Sequence, residues 1–380
     1  MGKGGKYLSK QAPAAGRKKK KLPIVLISIL VILLLLIGGG LIVFNFALNQ
    51  IGRPGSVETI PMSEQEVADM LGTQPTAPLV APEETLEATE ETVPEETWPT
   101  VVSDQKITNI MLVGQAARDG ETYRLSDTMI LCSINRETKT LTMTSFMRDM
   151  RVNIPAYAGH TPGFSRMNVC YHLGSHWTGE TKGSMEMLAL AVEQNFGVHV
   201  DHTVEIDFGI FMTLSDLIGG VDVEFSEEEI AYMLDNYPDH EPNYLLTVGP
   251  NHINGWQALC YARMRKVGHG DFERTERQRE VITSMLNGVK NMTLKDAYAI
   301  FTEALPMVVC DMTNEEITNY ALEFLPMLKD LNLQSQRIPF EGTYWSTDIG
   351  SDGIPDWVID CNLKKNGEML RESIGMTVTE

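Results

Sequence analysis

The chain of 380 residues carries 51 acidic against 31 basic side chains, for a formal net charge of −20, with 43% hydrophobic and 7% aromatic residues. This is ordinary globular composition, sufficient for one large domain or two small ones. The acid excess excludes nucleic acid as a partner, because phosphate backbones need a basic face.

The N-terminus departs from that charge balance. Residues 1–21 form a basic tail ending in "RKKKK", and residues 22–48 form an apolar run long enough to cross a bilayer core. A secretory signal has a shorter apolar region followed by a small-residue cleavage site, so the run predicts one uncleaved transmembrane helix. Lys18 to Lys21 hold the tail in the cytoplasm, which places the chain at the cell membrane, single-pass, with its globular part extracellular. Residues 49–104 are rich in Pro, Thr and Glu and poor in aromatics; they read as an acidic stalk that buries no core.

"ITNIMLV" (107–113), "DTMILCSIN" (127–135) and "TLTMTSF" (140–146) are β-rich, and the polar "RETK" between the last two predicts a hairpin. "GSMEMLALAVEQNFG" (183–197) has helical apolar spacing and ends at Gly197. A strand "HTVEID", a helix "FGIFMTLSDLI", the turn Gly219–Gly220 and a strand "VDVEF" follow. Ser226 with Glu229, Asn254 with Gln257 and Thr313 with Glu316 have capping-box spacing, so helices should begin after each. The alternation predicts an α/β fold: a layered central mixed β-sheet flanked by helices over 105–290, preceded by the transmembrane helix and followed by a mainly helical C-terminal extension over 291–380.

The five cysteines, Cys132, Cys170, Cys260, Cys310 and Cys361, show no CxxC spacing. Cys132 and Cys260 sit in apolar patterns and read as small buried hydrophobes, and Cys310 with Cys361 is the one pair that suggests a disulfide.

In "GDFERTERQRE" (270–280) a helical wheel started at Phe272 puts Arg274, Gln278, Val281, Ile282 and Met285 in one sector and Glu273, Glu276 and Glu280 opposite. The acidic face then meets solvent, and Arg274 and Gln278 point inward. Buried arginine needs an anionic partner, either a protein carboxylate or a ligand phosphate.

Other polar residues stand at the ends of predicted strands: Arg118 after the first, Asp127 opening the second, Arg148 and Asp149 after the third. Taken singly, each reads as readily as a cap or a surface ion pair. Together with Arg263, Arg265, Arg274 and Gln278 they make a set of forks suited to phosphate oxygens, and an aspartate among them suits a divalent metal bridging the same phosphates. A diphosphate fits that chemistry. No GxxxxGK[ST] loop and no HExxH spacing occurs, so nucleotide hydrolysis by a P-loop and zincin chemistry are both unsupported.

"NIMLVGQAAR", "LSDTMILCSIN", "SFMRDMRVNIP", "RMN", "IDFGIFMTLSDLIGGVDVEF" and "NGWQALCYARMRK…GDFERTERQR" occur in this order over residues 105–290, and there the chain resembles the LytR-CpsA-Psr family of bacterial cell-wall transferases. The resemblance implies an enzyme, a glycopolymer phosphotransferase that moves a glycan from a polyprenyl-pyrophosphate carrier onto peptidoglycan through a phosphodiester bond. It implies that Arg118, Arg148, Arg263, Arg265, Arg274 and Gln278 cradle the diphosphate, and that Asp127 holds Mg2+. Asp149 and Asp271 are implied as proton acceptors beside Arg148, although Asp271 reads equally as the N-cap of its helix.

Two departures from the family pattern stand out. GxDxR reads "GQAAR", with Ala116 in place of an aspartate, and Leu125 takes the place of the arginine before "SDT", with Arg124 next to it. Loss of a carboxylate weakens magnesium binding, which keeps two rivals in play: a catalytically weak protein that binds the carrier-linked glycan, and a pyrophosphatase acting on the carrier. The polyprenyl tail needs an apolar groove, for which "GSMEMLALAVEQNFG" and "FGIFMTLSDLI" are candidate walls, although such a Met and Leu stripe reads more readily as ordinary core. Crowded arginines are further expected to repel one another, so that replacing Arg263, Arg265 or Arg274 would cost no stability.

Overall fold

The computed structural model describes residues 48–53, 99–115, 125–161, 163–268, 270–290, 292, 300, 303, 308–350 and 355–376. The basic tail, the expected membrane span up to residue 47, most of the stalk, and Ala116, Arg118 and Arg124 lie outside the described residues. Among the described residues no helix is long and apolar enough to cross a membrane.

In chain order the elements are β1 (Ile107–Gln115), β2 (Ser126–Asn135), β3 (Thr140–Phe146), β4 (Arg151–Asn153), β5 (Phe164–Arg166), α1 (Met167–Thr178), α2 (Thr181–Phe196), β6 (His202–Ile206), α3 (Phe208–Leu217), β7 (Val221–Phe225) and α4 (Glu227–Asn236). They continue with β8 (Gly249–Ile253), α5 (Gly255–Ala262), α6 (Asp271–Val289), β9 (Val309–Cys310), α7 (Asn314–Phe324), β10 (Asn332–Ile338), β11 (Tyr344–Asp348), β12 (Trp357–Cys361) and α8 (Leu363–Ser373).

The central sheet has six strands in the order β10-β3-β2-β1-β6-β9. The β1–β2 and β2–β3 pairs are antiparallel, as the "RETK" turn requires, while β6 joins β1 and β10 joins β3 in parallel. Both faces are covered, and β2 shows why its middle, Met129 to Cys132, is continuously apolar. Met129 and Leu131 enter a cluster with Phe146, Leu188 and Phe196, whereas Ile130 enters another with Leu141 and Met143, roofed by Ile282 and Leu286 of α6. Successive strand residues point to opposite faces, so burial on both sides removes the usual alternation.

All three capping boxes form: Ser226, Asn254 and Thr313 each accept a backbone N–H from the residue three ahead, whose side chain accepts their own N–H in return. The helix α1, which has no side-chain cap at its N-terminus, goes beyond the sequence expectation. It crosses α2 with backbones in contact, since a Cβ on Gly174 would lie 2.0 Å from the Gly183 carbonyl oxygen.

The C-terminal part is not the mainly helical extension expected. It supplies both edge strands of the sheet, β9 and β10, a further hairpin β11–β12, and α8, whose Leu370 and Ile374 enter the main core. "NLQSQRI" of β10 is polar because only part of an edge strand is buried, and that polarity hides a strand from pattern reading. Leu48, the last residue of the expected membrane span, is buried, and the start of the expected stalk packs as well, contrary to a stalk that buries nothing: Ile51 is buried and Gly52 exchanges backbone bonds with Val308 and Cys310. All five cysteines are free thiols, so the Cys310–Cys361 pair is absent; Cys310 sits on edge strand β9 and Cys361 in the main core.

Candidate functional site

Among the described residues, six of the polar side chains predicted from strand ends and from the arginine-rich segment converge. Asp127 opens β2, Arg148 and Asp149 follow β3, Arg265 lies in the loop after α5, and Asp271 and Arg274 occupy the first turns of α6. Arg148 lies at 3.1 Å from Asp127, 3.3 Å from Asp149 and 3.3 Å from Asp271. Arg265 Nη2 reaches Asp127 Oδ2 at 2.9 Å. Arg274 Nη2 lies 2.8 Å from Asp271 and donates to the Asp127 carbonyl oxygen at 3.1 Å.

Three carboxylates thus alternate with three guanidinium groups. Arg148, Arg265 and Arg274 each face a carboxylate, which offsets the repulsion expected of crowded arginines, although Arg148 and Arg265 still help to lower the Arg274 pKa. The set grades from floor to rim: the Arg274 side chain is 1% exposed and that of Arg265 45%.

Burial pushes the Asp271 carboxyl above its ordinary range, and Arg274 and Arg148 only partly offset this. Burial likewise lowers Arg274 to about 10, against the pull of Asp271. Around Arg148 burial opposes the charge, but Asp271, Asp149 and Asp127 outweigh it and the pKa is raised. Both Asp271 oxygens are buried without a well-aligned hydrogen bond, although Oδ1 lies within ion-pair reach of Arg274 and Arg148. Asp271 is not the N-cap: Gly270, at φ 72°, occupies that position, and the Asp271 side chain turns to the arginines.

The α6 wheel is right for Arg274, Gln278 and Val281, which are buried, and wrong for its acidic face. Glu280 accepts from the Tyr261 hydroxyl at 2.7 Å and Glu273 pairs with Arg277 at 3.2 Å, which leaves Glu276 as the exposed member. Arg277, also buried, bonds Glu229 and the carbonyl oxygens of Met264 and Val267, and so ties α6 to α4 and to the Arg265 loop.

Asp127, Arg263, Arg265, Arg274 and Gln278 also form the polar wall of a cavity of about 550 Å³. Its apolar wall comes from Phe208, Phe211 and Leu214 of α3 and from Ile282, Met285 and Leu286 of α6. Arg263 takes no part in the ion-pair cluster among the described residues; its guanidinium lies over the Phe208 ring at 4.4 Å. Of the two helices expected to line a groove, α3 does so, whereas α2 packs in the main core on the other face of the sheet. The sequence reading missed α6 as the opposite wall. The signal was present in Ile282 and Met285, which the helical wheel had placed in the same sector as Arg274 and Gln278.

Residues 79–356 match the LytR_cpsA_psr family. The chain belongs to this family. The match extends past residue 290 and so takes in the edge strands β9 and β10. Among its relatives, Biofilm regulatory protein A of Streptococcus mutans is 29% identical over 255 residues, 64% of this chain and 59% of the relative. The polyisoprenyl-teichoic acid–peptidoglycan teichoic acid transferase TagU of Oceanobacillus iheyensis is 33% identical over 180 residues, 47% of this chain and 50% of the relative. The matches thus span about half to three fifths of these relatives' length. The crystal structure of Bacillus subtilis TagT shares the fold at a TM-score of 0.52 and 21% identity, over 71% of this chain and 92% of TagT. TagT has also been solved bound to LIIa-WTA, with a TM-score of 0.54 and 20% identity, over 71% of this chain and 90% of that one.

Proposed function

We propose that this LytR_cpsA_psr protein is a membrane-anchored extracellular phosphotransferase that moves a glycopolymer from a polyprenyl-pyrophosphate carrier onto peptidoglycan through a phosphodiester bond. The observation that carries the reading is that Asp127, Arg265 and Arg274 belong at once to the ion-pair cluster and to the apolar cavity. A ligand with a diphosphate head and a long hydrocarbon tail has the same two halves. The names of the relatives, teichoic acid transferases among them, agree with it.

In this reading the donor's phosphate oxygens take Arg148, Arg265 and Arg274 from the carboxylates that now hold them, and the tail lies between α3 and α6. A peptidoglycan hydroxyl attacks the glycan-bearing phosphorus; the new P–O bond forms as the bond to the bridging oxygen breaks, releasing polyprenyl monophosphate. The guanidinium groups stabilise the charge that develops on the phosphate oxygens and on the leaving group. Asp271 accepts the hydroxyl proton, a role suited to a carboxyl held above its ordinary range. Asp149 holds Arg148 from its outer side at 3.3 Å.

Magnesium is part of the proposal. Asp127 offers the hard oxygens Mg2+ prefers, but among the described residues no group of three acidic, His or Cys side chains surrounds a metal position. The residues therefore fit Mg2+ as a joint ligand of Asp127 and the donor's phosphates, where it would neutralise phosphate charge.

The test is a transfer assay with a lipid-linked oligosaccharide, run with and without peptidoglycan. Acceptor-dependent release of lipid phosphate with glycan joined to the wall supports the proposal. Release without acceptor indicates a pyrophosphatase, and tight donor binding without turnover indicates the carrier-binding protein that Ala116 keeps in view.

A further inference from the structure

Beside the ion-pair cluster, away from the cavity residues, the hairpins β4–β5 and β11–β12 join through a bridge between Met150 and Ile359, and the Ile359 N–H donates to the Asp149 carbonyl oxygen at 2.9 Å. The strands lie side by side in the order β5, β4, β12, β11. In the register Arg151 faces Arg166, Asn153 faces Phe164, and Trp345 faces Asp360. On β4 and β5 the residues between them, Val152 and Ser165, are buried. One face of the ribbon therefore turns Phe164, Arg151 and Arg166 outward, with Trp345 on the same side as Asp360.

This face has a consistent chemistry. Phe164 is 37% and Trp345 54% exposed, and they stand on β5 and β11, the two outer strands of the ribbon. Between them Arg151 reaches Asp360 at 3.4 Å and lies over the Phe164 ring at 5.1 Å. Arg166 bonds Asp356 and reaches back to Asp149 at 3.7 Å. Every arginine here has a carboxylate, so the surface holds fixed donors and acceptors with no excess positive charge. That does not suit an anionic lipid surface. Aromatic faces, spaced apart and set among locked polar pairs, suit a neutral ligand that offers C–H faces and many hydroxyls, which is a carbohydrate. From β5 to β11 the face spans three inter-strand steps, roughly 14 Å, the length of a short oligosaccharide.

We propose that the outward face of this ribbon, with Phe164, Arg151, Asp360, Arg166 and Trp345, is the acceptor subsite on which the glycan strand of peptidoglycan lies. The proposal rests on the transferase reading and gives it a second substrate surface. The lipid-borne donor enters from the cavity, the acceptor lies across the ribbon, and Arg166 links the two sides through Asp149. These residues position the acceptor and take no part in bond making.

The test uses the full chain in detergent micelles and glycan strands freed of their peptide stems. Trp345→Ala and Phe164→Ala should each weaken strand binding roughly tenfold and raise the acceptor KM in transfer while kcat, donor affinity and thermal unfolding hold. Trp357→Ala is the control: Trp357 is 61% exposed but lies across from Asp348 on the opposite face of the hairpin, and its loss should leave strand binding unchanged. Unaltered strand affinity in both Trp345→Ala and Phe164→Ala, or an equal loss in Trp357→Ala, overturns the subsite. Donor binding to the unaltered chain separates that outcome from failure of the transferase reading, in which no donor binds and the subsite proposal falls with it.

Discussion

Asp271 and Arg274 stand one turn apart at the start of α6, and their side chains meet at 2.8 Å with Arg274 1% exposed. A buried ion pair stripped of one partner leaves the other charge without compensation. Arg274→Ala should therefore cost stability, about 3 kcal/mol, whereas Arg265→Ala at the solvent-facing rim should cost less than about 1 kcal/mol. Both should weaken donor binding. Urea unfolding beside donor titration checks this, and equal small losses of stability would place Arg274 outside any structural role.

The raised Asp271 carboxyl sets a pH dependence. A carboxyl whose folded pKa lies above its unfolded value holds more protons folded than unfolded in the interval between the two. Its contribution to stability therefore falls as pH rises through that interval, just above the ordinary carboxylate range. Asp271→Asn should flatten that part of the stability profile. The same ionisation should give transfer an acid limb displaced above the usual carboxylate range, and the limb should vanish with Asp271→Asn along with most activity. A limb retained in the variant assigns the proton to another group.

Filling the cavity should separate tail from head recognition. Leu214→Trp puts bulk against the space between α3 and α6 that Leu214 and Met285 both line. Affinity for a full-length polyprenyl donor should drop at least tenfold, while a donor with a truncated chain should bind as before. Parallel titrations with the two donors decide it; equal losses would mean that the tail lies elsewhere.

Ala116 offers a gain-of-function test. With Asp127 as the proposed protein ligand, Mg2+ should bind weakly to the free chain and mainly together with the donor. Ala116→Asp should tighten magnesium binding and raise transfer. Calorimetry and turnover across Mg2+ concentrations would show it, and if neither Ala116→Asp nor Asp127→Ala has any effect the metal is misplaced.

The topology is checked on intact cells. If Lys18 to Lys21 keep the N-terminus inside, added protease should cut within residues 54–98. Protection until the membrane is broken would reverse the orientation.

What the sequence determined by itself was local. The capping boxes at Ser226, Asn254 and Thr313 need only a side chain and a backbone N–H three residues apart, and the strands β1 to β3 announce themselves by composition and by one short turn. Convergence of Asp127, Arg148, Arg265 and Arg274 was inferred from charge type and family words. Their pairing was not legible, because Asp127 and Arg265 are 138 residues apart and meet only once the sheet and α6 are in place. The buried Arg274 kept two possible partners, carboxylate or phosphate, for a different reason: Asp271 is only three residues away, but whether its side chain caps the helix or turns to Arg274 depends on the backbone at Gly270. The edge strands β9 and β10, the ribbon that carries Trp345, and the choice of α6 rather than α2 as the second cavity wall were decided by tertiary structure alone. An edge strand buries too little to show a pattern, and an apolar helical stripe looks the same whether it faces a core or a cavity.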